Sequence, residues 1–144
     1  MRSGALMDTG PLVAYLRPRD TDHGWAVAQF ETLDLPFVCC EPVLTEACLL
    51  VARSGWPASR VLDMIRRGVL RIGFELQDEL AAVRALMERY ANVPMSLADA
   101  CLVRLAELTG LPICTLDSDF AIYRAHGRRA LTLITPEHRS LHEP

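Results

Sequence analysis

The chain has 144 residues, of which 51% are hydrophobic and 23% are charged, and its formal net charge at pH 7 is −3. This length and composition fit one globular domain, and no apolar run reaches the roughly 18 residues that a membrane span requires. The negative net charge argues against a protein held to nucleic acid by bulk positive charge alone.

All 15 basic residues are arginine, so the chain contains no lysine. A Walker phosphate-binding loop needs a lysine on the phosphates, and a Schiff-base enzyme needs a lysine amine. A phospho-acceptor receiver domain, which also gathers aspartates at strand ends, normally relies on a lysine as well. The composition therefore argues against all three classes.

Five cysteines lie in apolar segments, their number is odd, and none forms a Cys-x-x-Cys pair. We expect reduced, buried thiols in a reducing compartment. The apolar part of the first eight residues is too short for a signal peptide, so a cytoplasmic location is expected by default. The cysteines are Cys39, Cys40, Cys48, Cys101 and Cys114.

Short apolar runs alternate with amphipathic segments along the chain. In chain order they predict strand 5–8, helices 11–17 and 22–33, strand 36–40, helices 42–53 and 57–67, strand 69–74, helices 78–90 and 96–109, strand 112–116, helix 118–126 and strand 131–134. Strands separated by helices predict a three-layer α/β/α sandwich with a central, mostly parallel sheet. We assign residues 1–135 to this domain and residues 136–144, with His138 and His142, to a polar tail.

Four acidic residues are predicted to meet at one edge of this sheet, because ligands bind outside the carboxyl ends of parallel strands. Asp8 and Asp117 each end a predicted strand, whereas Glu46 and Asp99 lie in the first turns of helices that follow strands. Taken singly, most of these acids could have a purely local role instead. Asp8 and Asp117 could be turn or cap residues, and Asp99 completes a capping-box pattern with Ser96.

The two helical acids are predicted to lie on apolar helix faces. Glu46 has Val43 and Leu50 as neighbours on its face, and Asp99 shares a stripe with Leu102 and Val103. A charge on an apolar face costs free energy unless a partner compensates it, and no lysine is available. A bound cation is the simplest partner.

Four short segments carry a resemblance to a known family. They are MDTGPLVAYL at 7–16, VLTEA at 43–47, MSLADA at 95–100 and TLDSDF at 115–120. In order and spacing they resemble the motifs of the PIN domain, and the size is most similar to the VapC toxins of toxin–antitoxin pairs. The resemblance implies an α/β nuclease that cleaves RNA with Mg²⁺ or Mn²⁺. Asp117 is the better match to the last acid of the family, and Asp119 is a second candidate.

Carboxylates without histidine or cysteine suit the hard ions Mg²⁺ and Mn²⁺ and disfavour Zn²⁺. We expect Asp8 and Asp99 to be direct ligands, and Glu46 and Asp117 to bind directly or through water, with Asp119 as a further candidate. One or two ions would activate a water and neutralise charge on the phosphate. Flanking hydroxyls could orient the acids, and four arginines could contact phosphates. These residues are Thr9, Thr45, Ser96, Thr115 and Ser118, and Arg17, Arg19, Arg53 and Arg124.

Two further function classes remain open. One is a catalytically silent PIN-like domain that binds RNA or protein, and the second is a metal-dependent phosphatase. For the toxin interpretation we expect an antitoxin partner and a homodimer. A surface for such contacts could be formed by the apolar residues of segment 56–65, although these could equally be core residues. They are Trp56, Val61, Leu62, Met64 and Ile65.

Overall fold

The computed structural model describes residues 4–136 of the chain. The strands in this part are β1 Leu6–Met7, β2 Phe37–Cys39, β3 Leu70–Ile72, β4 Ile113–Cys114, β5 Arg124–Ala125, β6 Arg129–Ala130 and β7 Leu133–Ile134. The α-helices are α1 Thr9–Leu16, α2 His23–Thr32, α3 Glu41–Arg53, α4 Ser59–Arg66, α5 Leu80–Arg89 and α6 Leu97–Thr109. Two short 3-10 helices span Leu76–Glu79 and Ser118–Ala121.

Five of the strands form one sheet in the order β3-β2-β1-β4-β7, and every neighbouring pair is parallel. Helices flank this sheet, which confirms the predicted three-layer α/β/α sandwich. Strand β1 lies at the centre of the sheet, between β2 and β4. The side chains of the central strands are buried on both faces, as expected for a parallel sheet covered by helices.

Each of the helices α1 and α3 begins directly after a strand and therefore starts at the carboxyl edge of the sheet. Helix α3 has a proline in its first turn, where the missing N–H is not needed. Helix α6 ends at Gly110, whose φ of 72° is a left-handed conformation that glycine adopts without a steric penalty. These signals explain why the predicted helix ends agree with the structure there.

The predicted helix over 118–126 is wrong. Only Ser118–Ala121 is helical, and it is a single 3-10 turn capped by the side chain of Asp117. Beyond it the chain forms an antiparallel hairpin of β5 and β6 that the sequence did not reveal. His126 and Gly127 have φ of 52° and 74°, and this left-handed backbone reverses the chain.

Smaller differences concern the start of the helix predicted over 78–90 and the lengths of the strands. A 3-10 turn, Leu76–Glu79, precedes α5, and the strands are two or three residues long rather than four to six. All five cysteines are free thiols, four buried and Cys48 half-buried. Residues 137–144, with His138 and His142, lie outside the described residues. Within residues 4–136 no helix is long and apolar enough to cross a membrane.

Candidate functional site

Asp8 lies at the carboxyl end of the central strand β1, and only 7% of it is exposed. Its Oδ1 accepts a hydrogen bond from Thr9 N–H at 2.8 Å and so caps α1. The pKa of Asp8 is raised to about 7, mainly by burial and in smaller part by the charges of Asp99 and Asp117, while its hydrogen bonds with Thr115 and Thr9 oppose this rise. Asp8 therefore caps α1. This cap does not explain why a carboxyl group occupies a buried position where its ionisation is so unfavourable.

Thr115 connects two of the acids across the sheet edge. Its hydroxyl donates to Asp8 Oδ2 at 2.7 Å and accepts from Asp117 N–H at 2.9 Å. The residue directly follows β4, the neighbour of β1, and is 1% exposed. Because one buried hydroxyl serves both partners, the carboxylate of Asp8 and the backbone of Asp117 are held in a fixed relation.

Asp99 lies in the first turn of α6 and forms the capping box with Ser96. Asp99 N–H donates to Ser96 Oγ at 3.0 Å, and Ser96 N–H donates to Asp99 Oδ2 at 3.3 Å. The pKa of Asp99 is raised because the group is partly buried; its hydrogen bonds with Ser96 and Tyr123 oppose this rise, and the charge of Asp117 adds to it. Asp99 thus caps α6, as the capping-box pattern predicted. Its pKa is also raised, which would not be the case for a cap residue that is fully solvated.

Tyr123 is a site residue that the sequence analysis missed. Its hydroxyl donates to Asp99 Oδ2 at 3.1 Å, and its ring is completely buried. The contact joins residues 24 positions apart, so no helix or strand period could indicate it. An aromatic residue three positions after Phe120, in a segment rich in acids, was the one available signal. The pKa of Tyr123 is raised by burial and by the charge of Asp99, so the phenol remains a hydrogen-bond donor at neutral pH.

Asp117 and Asp119 lie together on the 3-10 turn that follows β4. Asp117 Oδ1 accepts from Asp119 N–H at 2.9 Å and caps this turn. The charge of Asp117 raises the pKa of Asp8, Glu46, Asp99 and Asp119 alike. The pKa of Asp119 is raised by burial and then by Asp117. The electrostatic contacts therefore place Asp117 at the centre of the cluster and Asp119 at its border.

Glu46 faces the same cluster from α3, and its position on the apolar helix face is exposed to solvent rather than buried. The residue is exposed, and so is its neighbour Leu49, at 52%. Apolar residues occur on more than one side of α3, so the spacing of apolar residues in the sequence did not show which side of the helix is buried. Partial loss of solvent raises the pKa of Glu46, and the charges of Asp99 and Asp117 raise it further. Glu46 thus approaches the other acids at the solvent side of the cluster.

The cluster of Asp8, Glu46, Asp99, Asp117 and Asp119 has uncompensated negative charge. Within residues 4–136 no arginine forms an ion pair with any of these acids; the ion pairs found there join other residues. Carboxylates held near one another without a positive partner repel, and this repulsion contributes to each raised pKa. The arrangement therefore favours a cation that is not part of the chain.

The geometry does not form a closed metal site. In the part of the chain that the structure describes, no three Asp, Glu, His or Cys side chains converge closely enough to enclose an ion. The expectation that four or five carboxylates bind the ion together stays a prediction. Mg²⁺ commonly keeps several waters and binds through one or two carboxylates, so the all-oxygen residues here fit such a hydrated ion rather than a fully enclosed one.

One buried polar atom beside Asp8 lacks a partner. Thr9 Oγ1 is buried and makes no hydrogen bond within residues 4–136. Buried hydroxyls are nearly always hydrogen-bonded, so a water or a ligand oxygen is expected next to it. At Gly10, the next residue, the first turn of α1 lies close to Leu116. A Cβ on residue 10 would be only 3.2 Å from the Cβ of Leu116. The start of α1 is thus packed closely against the segment that carries Asp117.

The remaining predicted hydroxyls do not orient acids in this structure. Thr45 Oγ1 donates to the carbonyl of Glu41 within its own helix, at 3.1 Å. Ser118 Oγ makes no hydrogen bond within residues 4–136. In the part of the chain that the structure describes, Thr115 and Ser96 are the two predicted residues whose hydroxyl oxygen is hydrogen-bonded to a site acid.

The predicted phosphate-binding arginines are displaced from the acids. Arg17 and Arg19 follow the last residue of α1, about 12 Å along a helix that starts at the site, and Arg53 ends α3, about 20 Å from its start. Arg17 pairs with Asp20 at 3.7 Å. Arg124 Nη1 donates to three backbone carbonyls between 2.7 and 3.3 Å, which engages that nitrogen of the guanidinium. Arg17, Arg19 and Arg53 lie away from the acids because a helix carries its two ends to opposite edges of the sheet.

A groove of about 480 Å³ lies beside Glu46, between the start of α3, the chain after β3 and the start of α6. Its wall includes Thr45 and the apolar side chains of Phe74, Leu76 and Leu97. A larger cavity of about 720 Å³, lined by Arg17, Arg19 and Trp56 among others, lies at the opposite end of α1. Of these two, the groove beside Glu46 is lined by a site acid and could receive a substrate that reaches the acids.

A parallel α/β sheet with acids collected at the carboxyl ends of its central strands defines a protein with a carboxylate-lined ligand site at that edge. A family model described as the PIN domain matches residues 5–125, and the chain therefore belongs to the PIN-domain family. None of the curated proteins compared with the chain matches it. PIN domains are usually metal-dependent nucleases that act on RNA or other nucleic acid. In these general terms the chain is assigned nuclease activity.

Proposed function

We propose that this protein is a Mg²⁺- or Mn²⁺-dependent endoribonuclease whose site is formed by Asp8, Asp99 and Asp117, with Glu46 and Asp119 at its border. One observation carries the proposal. A buried aspartate with a pKa of about 7 lies among other carboxylates, and no arginine in residues 4–136 pairs with any of them. A chain of the PIN family has a direct use for such a cluster, because a divalent cation removes the repulsion.

The residues would hold a hydrated ion mainly through Asp8 and Asp99, with Asp117 binding directly or through water. When bound, the ion supplies positive charge to the scissile phosphate and activates water for attack on phosphorus. Thr115 fixes the orientation of Asp8, and Ser96 fixes that of Asp99. The unpaired Thr9 hydroxyl would donate to a water or phosphate oxygen beside Asp8.

RNA is proposed as the substrate class. The groove beside Glu46 offers the apolar side chains of Leu76 and Leu97, on which an unstacked base could pack, and a bound cation would offset the charge of Glu41 and Glu75 in the same wall. Net charge and arginine placement give no strong electrostatic attraction near the acids, so shape and the metal ion would contribute most of the binding. Weak attraction by bulk charge agrees with an enzyme that selects few RNA substrates.

A cleavage assay tests this function. Purified protein is incubated with a broad panel of structured and single-stranded RNAs in Mg²⁺, Mn²⁺ or EDTA, and a phosphomonoester is tested in parallel. We expect cleavage of at least one RNA with metal and none with EDTA. Turnover of the phosphomonoester alone would instead identify a phosphatase. Tight RNA binding without any cleavage would identify a catalytically silent domain.

As the finer assignment, we propose that the protein is the toxin of a toxin–antitoxin pair and forms a homodimer. Support comes from the resemblance to VapC toxins and from exposed apolar side chains near α4. Leu62 is 56% exposed and Trp56 is 36% exposed, whereas Val61 and Met64 of the same segment are buried in the core. One side of the apolar segment 56–65 therefore packs against the core, and another side is exposed and could contact a partner.

Expression in a host cell tests the toxin role. We expect the wild-type protein to arrest growth, the Asp99→Asn variant to be harmless, and the product of an adjacent small gene to relieve the arrest. If the wild type and Asp99→Asn are equally harmless and no small neighbouring protein binds, the toxin role is excluded. The nuclease assignment would still be decided separately by the cleavage assay.

A further inference from the structure

Tyr123 has a hydroxyl whose hydrogen-bond partner within residues 4–136 is a carboxylate of the site. The hydroxyl donates to Asp99 Oδ2 at 3.1 Å, and the same oxygen accepts from Ser96 N–H at 3.3 Å. The Ser96 hydroxyl also hydrogen-bonds to this carboxyl, so three groups of the chain restrain it. A carboxylate restrained in this way has a defined orientation toward a bound cation.

The ring of Tyr123 is held rigidly, so the hydroxyl has little freedom of position. It is completely buried and makes edge contacts with two aromatic rings: Tyr90 at 5.0 Å and 66°, and Phe120 at 5.4 Å and 85°. Such edge-to-face pairs are the preferred arrangement of aromatic rings. Tyr90 Oη in turn accepts from Arg124 N–H at 2.9 Å, which fixes the backbone next to Tyr123.

The same contacts connect Asp99 to the segment that carries Asp117 and Asp119. Phe120 belongs to the 3-10 turn that Asp117 caps and that includes Asp119. Asp99 lies on a different element, α6. The hydrogen bond of Tyr123 is therefore a tertiary connection that sets the position of the Asp99 carboxylate relative to Asp117.

We propose that Tyr123 is a positioning residue that holds the carboxylate of Asp99 in the orientation needed to bind the divalent ion of the nuclease site. This inference rests on the proposed function and extends it to a residue outside the four family-like motifs. Groups that hydrogen-bond to a metal ligand commonly contribute about 10- to 100-fold to metal affinity or activity. We expect an effect of that size from the hydroxyl alone.

The test compares Tyr123→Phe with Tyr90→Phe, two variants that each remove one hydroxyl from the same aromatic cluster. Only the first hydroxyl contacts an acid, whereas the second contacts a backbone N–H. Mn²⁺ binding to each full-length protein is measured by titration calorimetry, and RNA cleavage is measured as a function of Mn²⁺ concentration. We expect Tyr123→Phe to weaken Mn²⁺ binding about 10-fold or more and to raise the half-saturating Mn²⁺ concentration correspondingly. Tyr90→Phe should bind Mn²⁺ within about twofold of wild type.

The outcomes separate a positioning role from a structural one. If both variants lower the melting temperature similarly and both bind Mn²⁺ like the wild type, Tyr123 only packs the core and the proposal is overturned. If the wild type binds Mn²⁺ but cleaves no RNA, the proposed function fails, while the calorimetric comparison still decides the role of Tyr123. If the wild type binds no Mn²⁺, Asp99 has no ion to be positioned for, and the role of Tyr123 is overturned as well.

Discussion

The hydroxyl of Thr115 donates a hydrogen bond to Asp8 Oδ2 at 2.7 Å, across the adjacent ends of β4 and β1. The two residues are 107 positions apart in the sequence. This bond is one of the interactions that lower the pKa of Asp8 against the opposing effect of burial. Thr115 therefore makes the ionised form of Asp8, which a cation requires, easier to reach.

Replacing Thr115 by valine should raise the pKa of Asp8 above about 7, because the carboxylate loses a donor while it stays buried. Metal binding needs the ionised carboxylate, so activity should fall and its rise with pH should move to higher pH. The pH dependence of cleavage at subsaturating Mn²⁺ measures this shift. Thr115→Ser keeps the hydroxyl and is the control. Identical profiles for valine, serine and wild type would mean that Thr115 does not act on Asp8.

Asp8 should make the metal-free protein less stable as pH rises. Its pKa is about 7 in the folded protein, against about 3.9 for an aspartate in an unfolded chain. The native state therefore holds a proton that the unfolded state has already released. Its contribution to stability is fully present below about pH 4 and is lost as pH rises through about 7, with a magnitude on the order of a few kcal/mol.

The Asp8→Asn variant should therefore be more stable than the wild type at pH 8 in EDTA, and the difference should shrink towards pH 4. Urea unfolding at a series of pH values gives the free energy of unfolding for both proteins. Asp34→Asn, at an exposed position in the loop before β2, removes one charge elsewhere and is the matched control. If Asp8→Asn instead destabilises the protein equally at every pH, its role in capping α1 outweighs its buried charge.

Asp99 has two roles that variants can separate. Asn at this position keeps an oxygen that can accept from Ser96 N–H, but it removes the charge. We expect Asp99→Asn to be nearly as stable as the wild type without metal and to lose most of the stabilisation by Mn²⁺, which for the wild type is about 2.7 kcal/mol at 100 times Kd. Ser96→Ala should show the reverse pattern: a loss of about 1 kcal/mol at every metal concentration, with the Mn²⁺ response retained. Thermal unfolding across a Mn²⁺ series measures both, and an unchanged response in Asp99→Asn would remove Asp99 from the site.

Much of the architecture and the placement of two acids could be predicted from local patterns. An apolar run that ends at Asp8 and another that ends shortly before Asp117 are sufficient to place both at the carboxyl edge of a parallel sheet. The residues that hold these acids could not be predicted with equal success. Tyr123 reaches Asp99 through tertiary packing, which no periodic sequence pattern indicates. The exposed side of α3 could not be told from its buried side, because the apolar Leu49 lies on the exposed side.

Asp117→Asn should reduce cleavage more than Asp119→Asn. Asp117 caps the 3-10 turn, and its charge acts on Asp8, Glu46 and Asp99, whereas the charge of Asp119 acts less widely on the cluster. Cleavage rates at saturating Mn²⁺ give the comparison, with circular dichroism to verify that both variants fold. The opposite order would identify Asp119 as the fourth acid of the site.

The central claim is that RNA cleavage depends on a divalent ion held at Asp8, and a side-by-side cleavage assay tests it most directly. Wild type and Asp8→Asn are purified in parallel and incubated with the same susceptible RNA in Mn²⁺ and in EDTA. We predict cleavage only by the wild type and only with Mn²⁺, while Asp8→Asn stays folded and inactive. Cleavage by the wild type that persists in EDTA, or cleavage by Asp8→Asn at a rate close to that of the wild type, would contradict the proposed site.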